Sequence, residues 1–116
     1  MITLELPVKV VSEANQRCHW SSRFHRFNRQ KIRVGFALLP HKHKVRFPAT
    51  CVLTRIGPKK LDTDNLAGAF KAVQDSIARM CGVDDGDARW DWQYRQEVGN
   101  PKQYAIRIEI FESGTK

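Results

Sequence analysis

Apolar and polar residues alternate from Ile2 to Val10, with Ile2, Leu4, Leu6, Val8 and Val10 on one side. That period of two predicts a half-buried strand, and Pro7 marks it as an edge or a strand end. Ser12 to Arg17 breaks the alternation and reads as a loop. Phe24, Phe27, Val34 and Leu38 then recur at helical spacing, which predicts a helix from about Ser22 to Leu39, stopped at Pro40. Val45 to Ile56 is rich in apolar and β-branched residues and reads as a well-buried strand, turned by Gly57-Pro58-Lys59-Lys60. Leu66, Phe70, Val73, Ile77 and Met80 follow the spacing of one buried helix face, and Gly82 supplies a stop. At about 100° per residue, Asp64, Lys71 and Asp75 fall in a stripe on the opposite side of that helix. Trp90, Trp92, Tyr94, Gln96 and Val98 alternate again, as do Tyr104, Ile106, Ile108 and Ile110. With Gly99-Asn100-Pro101-Lys102 between them, the two runs read as a C-terminal hairpin whose aromatic face packs on the helices. The order is β-α-β-α-β-β, an α+β domain with a single mixed sheet and two helices.

Length and composition narrow the class. The 116 residues, 41% of them hydrophobic, make one domain with a modest core, 1–116, and no apolar run approaches a membrane span. No basic-then-apolar leader opens the chain, so the expected location is the cytoplasm. Cys18, Cys51 and Cys81 are odd in number, widely spaced and in no C-x-x-C arrangement, and read as reduced thiols, which fits that compartment. The net charge of +8 makes nucleic acid the leading partner, ahead of acidic proteins and membrane surfaces; a merely solvated basic face is the plain alternative.

Against that basic background, half of the twelve acidic residues fall between Lys60 and Asp87: Asp62, Asp64, Asp75, Asp84, Asp85 and Asp87. Each has an ordinary explanation. Asp62 or Thr63 can cap the helix, Asp64 complements its dipole, and Asp-Asp-Gly-Asp makes a polar turn. The sharper reading is that the two clusters converge on a divalent metal. A hard ion such as Mg²⁺ takes carboxylate oxygens and leaves positions for water and phosphate. Two such ions roughly 3.5–4 Å apart stabilise both the attacking and leaving oxygens of a phosphodiester displacement.

The run Asp62-x-Asp64-Asn65, then Lys71-Ala72-x-x-Asp75, then Asp84-Asp85, resembles the RusA-type Holliday junction resolvases over nearly the whole chain. The resemblance implies a RusA-like fold and a homodimer, whose two equivalent sites would match a roughly two-fold four-way DNA junction. It implies catalytic, metal-binding carboxylates at Asp62, Asp64 and Asp85, with Asp84 or Asp75 as an auxiliary. The implied cofactor is Mg²⁺, one or two ions per site, with Mn²⁺ as a substitute. Lys71 stands for the family's lysine near the scissile phosphate, although that lysine commonly occupies the position of Gly68; Lys71 lies three residues on, close to one helical turn. The implied activity is resolution of Holliday junctions by paired nicks, in DNA recombination and repair.

The most basic part of the chain runs from Arg17 to Arg33. Arg17, Arg23 and Arg26 read as phosphate contacts, and Trp20 as an aromatic that can stack on an unpaired base. Asn15-x-Arg17 followed by Trp20 also resembles the family's N-terminal pattern. Lys59 and Lys60, beside Asp62, read as substrate-backbone contacts or as ordinary turn lysines. His41 and His43 have no third ligand at metal spacing and read as a solvated loop. The alternative from another class is a non-catalytic branched-DNA-binding module; a third is an interaction protein that docks a basic partner on its acidic helix face.

Overall fold

The computed structural model describes residues 1–10, 20–61, 63–101 and 103–113, with 20–27 and 63–64 described at the backbone. Four strands and three α-helices appear in the order β1 (Ile2–Leu6), α1 (Trp20–Leu38), β2 (Ala49–Gly57), α2 (Thr63–Ala69), α3 (Lys71–Cys81), β3 (Trp90–Val98) and β4 (Ala105–Glu112). A 3₁₀ segment, Leu39–Lys44, follows α1. The fold is thus α+β around one mixed sheet, with strand order β1-β4-β2-β3. No helix among the described residues is long and apolar enough to cross a membrane.

The expected hairpin is not there. β2 lies between β3 and β4, pairing parallel with β3 and antiparallel with β4. Alternation reveals a strand but not its neighbour; burial explains the arrangement found. β2 is buried along its whole length, and Ile106, Ile108 and Ile110 of β4 are buried too, so the two most apolar strands take the middle of the sheet. β3, with one aromatic and one polar side, takes an edge. β1 takes the other edge; of the strand expected from Ile2 to Val10, only Ile2–Leu6 pairs, ending immediately before Pro7, which has no N–H to add to a ladder.

Register sorts side chains onto two faces. One row of the front face reads Leu4, Ile108, Leu53 and Tyr94; the next reads Leu6, Ile106, Arg55 and Gln96. This face meets the buried seam of Val34 and Leu38 from α1 and Leu66, Phe70, Val73 and Ile77 from the other helices. The opposite face carries Glu5, Arg107, Thr54 and Arg95 in one row.

The single helix expected over the acidic stretch is divided. It breaks at Phe70, whose φ of −90° and ψ of 2° leave the helical range, and α3 starts afresh at Lys71 without a side-chain cap. The break follows Gly68, a residue that weakens helices for lack of a side chain. The apolar seam runs through it uninterrupted, with Phe70 fully buried. Tertiary burial rather than helix continuity therefore holds the stretch together. At the far end Gly82 adopts φ +74°, and its N–H returns to α3 as a left-handed C-cap.

Candidate active site

The acidic stretch forms the crossover from β2 to β3, and the front face of β3 fastens it side chain by side chain. The Trp90 indole donates to the Val83 carbonyl at 2.9 Å, and the Trp92 indole to the Asp85 carbonyl at 2.9 Å. The Tyr94 hydroxyl donates to Gln74 of α3, and its ring stacks on Phe70 at 6.2 Å. Gln96 makes two bonds to Leu61: its Oε1 accepts the Leu61 N–H at 2.7 Å and its Nε2 donates to the Leu61 carbonyl at 2.8 Å. Buried Trp and Tyr need a partner for their polar ends, and all of these partners come from the crossover. Leu61 immediately precedes Asp62. Both ends of the acidic stretch are thereby tied to one face of one strand, at residues 92 and 96, four residues or about 13 Å apart.

The carboxylates behave differently from one another. Asp87 is taken up by Arg89, accepting from its backbone N–H at 2.9 Å, its Nε at 3.1 Å and its Nη2 at 3.0 Å. Those bonds hold its carboxyl down to about 2. Asp84 is exposed, and its Oδ2 accepts the Gly86 N–H at 3.3 Å, an Asx-type turn. Asp75 is engaged at the contact between α1 and α3, 2.7 Å from Lys31 and 3.4 Å from Arg79. Its carboxyl is lowered chiefly by the Lys31 hydrogen bond, and the neighbouring Ser76 hydroxyl donates to the Lys31 carbonyl. The stripe that would have shown Asp64, Lys71 and Asp75 together on one free helix face is thus interrupted twice, by the break at Phe70 and by this ion pair.

Asp85 is the exception. It is half-buried, and its side chain has no ion pair or hydrogen bond among the described residues. It lies close enough to Tyr94 that its charge adds to burial in raising the phenol's pKa. Lys71 is exposed at the start of α3, and because α2 and α3 are separate helices it does not continue the turn that holds Gly68. A Cβ built on Gly68 would meet nothing within 4 Å, so the position where the resembling family has lysine is sterically open.

Lys59 and Lys60 are exposed on the turn before Leu61. That turn is held from within by Arg55, whose guanidinium donates to the Lys59 carbonyl at 2.6 Å and to the Val10 carbonyl at 3.3 Å. Burial lowers the Arg55 pKa. Asp62 and Arg17 lie outside the described residues, and the side chains of Asp64, Trp20, Arg23 and Arg26 lie outside them as well. Among the described residues, no three His, Cys, Asp or Glu side chains gather in a metal-binding group; two of the four candidate ligands are not among those residues. A cavity of about 630 Å³ opens between Met1, Val45, Arg46 and Phe111, and none of the candidate residues whose side chains are described lines it.

Cys51 and Cys81 are free thiols, and burial raises the pKa of both, Cys81 to about 11. Sequence reasoning missed Gln96, Gln74 and Arg55. The first had a readable signal, since Trp90, Trp92, Tyr94 and Gln96 all combine a large body with a polar tip on one side of a strand. It also missed Ile32 and Phe36 of α1 and Leu39 at the start of the 3₁₀ segment, which are exposed apolar residues. No protein-family model matches the chain, and a search of curated proteins finds no match.

Proposed function

We propose that this chain is a metal-dependent endodeoxyribonuclease acting on branched DNA, with the four-way junction as substrate and paired nicks as the reaction. The observation that carries the reading is the anchoring of both ends of the acidic stretch to one face of β3, Leu61 to Gln96 and Asp85 to Trp92. It supplies a physical reason for acidic clusters some twenty residues apart in sequence to act together, as the resemblance to RusA-type resolvases requires.

In this reading Asp62, Asp64 and Asp85 hold Mg²⁺, with Asp84 as an auxiliary. The donor set is all carboxylate oxygen, which suits a hard ion. Asp85, partly shielded and free of a cationic partner among the described residues, has the chemistry of a ligand awaiting charge compensation. The bound metal supplies an activated water and stabilises the leaving oxygen. Lys71 stabilises charge on the phosphate. Arg17, Arg23, Arg26, Lys59 and Lys60 hold the DNA backbone, and Trp20 stacks at the branch. No Asp or Glu interrupts the chain between Glu13 and Asp62, so nothing acidic in that segment opposes a polyanion. A homodimer with two equivalent sites would give symmetric cuts.

The second reading, a module that holds junctions without cutting them, is favoured by Gly68 standing where the family has lysine. A labelled synthetic four-way junction and the matching duplex, each with Mg²⁺ and with EDTA, separate the two. Metal-dependent paired nicks near the branch, absent from the duplex, support the nuclease. Tight junction binding with no cutting in Mg²⁺ or Mn²⁺ supports the module.

A further inference from the structure

We infer that Gln96 is a positioning residue that sets the first acidic segment, at Asp62 and Asp64, in register with Asp85. The inference rests on the nuclease reading and adds a residue to it.

Gln96 uses both functions of its amide on one residue, accepting from the Leu61 N–H and donating to the Leu61 carbonyl at 2.7 and 2.8 Å. Only a side-chain amide offers a donor and an acceptor side by side; a carboxylate offers acceptors alone and a guanidinium donors alone. Two bonds to one residue fix both where the chain passes and how its peptide units are rotated. A single bond would leave that rotation free.

The Leu61 carbonyl that Gln96 holds belongs to the peptide unit leading into Asp62, the next residue in the chain. Rotation of the Leu61 unit therefore transmits directly to the first candidate ligand. The Trp92 indole holds the Asp85 carbonyl from the same face, so both acidic segments are referred to one rigid strand. Sites carried on regular elements keep tighter geometry than sites on free loops. Tyr94, between the two anchors, ties Gln74 and thereby α3 to the same ruler. Arg55, the neighbour of Gln96 on β2, secures the Lys59 turn by a separate bond.

The test compares wild type with Gln96→Ala and Gln96→Glu, and with Gln93→Ala on the opposite face of β3 as control. Amide hydrogen exchange at Leu61, Mn²⁺ affinity by calorimetry, junction affinity in EDTA and junction cleavage are measured on each. Expected for Gln96→Ala are faster exchange at Leu61, a 10–100-fold loss of Mn²⁺ affinity and a matching fall in cleavage, with junction affinity unchanged. Gln96→Glu keeps the acceptor but turns a carboxylate oxygen toward the Leu61 carbonyl where the donor stood, so it should lose at least as much as Gln96→Ala, and it carries the test alone if Gln96→Ala does not fold. Wild-type Mn²⁺ affinity and cleavage retained in both variants would overturn the positioning role and leave the nuclease reading standing. A wild-type protein that neither binds Mn²⁺ nor cuts would overturn the nuclease reading, and the role with it.

Discussion

Carboxylates occur on both faces of this sheet, and they are treated in opposite ways. On the back, Glu97 and Glu5 flank Arg107: two bonds of 2.9 and 3.0 Å run from the guanidinium to Glu97, and Glu5 lies 3.5 Å away. Arg107 thus supplies the counter-charge for both glutamates, while Asp91 on the same face is held by the Thr50 hydroxyl and the Gln93 amide instead of a cation. On the front, the crossover neutralises Asp75 and Asp87 in the same manner but brings Asp85 to the Tyr94 side of β3 with no cation beside it among the described residues. The difference separates acids paired with a cation from Asp85, whose side chain has neither an ion pair nor a hydrogen bond among the described residues. It singles out one residue in the Asp84–Asp87 run that sequence spacing alone treats as a unit.

The strongest way to break that comparison is to remove the charges one at a time. Asp85→Asn is expected to lower junction cleavage more than about 100-fold, beyond the 10–100-fold typical of outer-shell partners, with the circular dichroism spectrum unchanged. Asp87→Asn, whose charge already serves Arg89, is expected to leave cleavage within a few-fold. Equal losses would mean that the loop matters for its shape rather than for Asp85.

The front-face anchoring can be probed through stability. Trp90→Phe keeps the ring but strands the buried Val83 carbonyl, and should lower unfolding free energy by about 1–3 kcal/mol in urea titrations. Gln93→Ala on the back should stay within about 0.5 kcal/mol. A similar cost for both would deny the front face its special role.

Gly68→Lys sharpens the choice between cutting and holding. The position is helical, exposed and sterically open, so the substitution should stabilise by about 0.5 kcal/mol through helix propensity. In the nuclease reading it should also raise the cleavage rate. Stabilisation with cleavage still absent would favour the junction-holding module.

The smallest effect is expected on the back face, from pH. The Arg107 bonds hold the Glu97 carboxyl below its ordinary value of 4.5. The contribution of the pair is therefore complete above pH 4.5 and fades as pH falls through the lower folded value. Melting temperature followed from pH 7 to pH 2, at low and high salt, should lose part of its acid limb in Glu97→Gln, and salt should shrink the difference.

Much of the fold was legible as local pattern. The strand at the N-terminus, the helix before Pro40, the well-buried strand after it and the Gly82 stop all follow from period and punctuation; that the first strand ends at Leu6 and does not run on to Val10 was one of the two meanings Pro7 allowed. The hairpin was not legible, because β3 and β4 each alternate and the turn between them is good turn chemistry. Nothing local says that β2 will enter between them. The break at Phe70 was hidden for a related reason, since the apolar seam keeps its helical spacing across it. Of the candidate site, spacing named the acids and the resemblance chose Asp85, but neither could say which of Asp84, Asp85 and Asp87 already has a partner in the fold. That distinction depends on where Arg89, Gly86 and Tyr94 stand in space.

The sequence by itself determined what is periodic and what is chemically available: which segments are strands or helices, which side of each is apolar, and that carboxylates cluster in an otherwise basic chain. These are properties of neighbours along the backbone. Only the tertiary structure decided which strands are partners, that one face of β3 fastens both ends of the acidic stretch, and which acids are already matched by cations. Those depend on residues brought together across tens of positions, where burial and pairing are shared by the whole fold and written in no single segment.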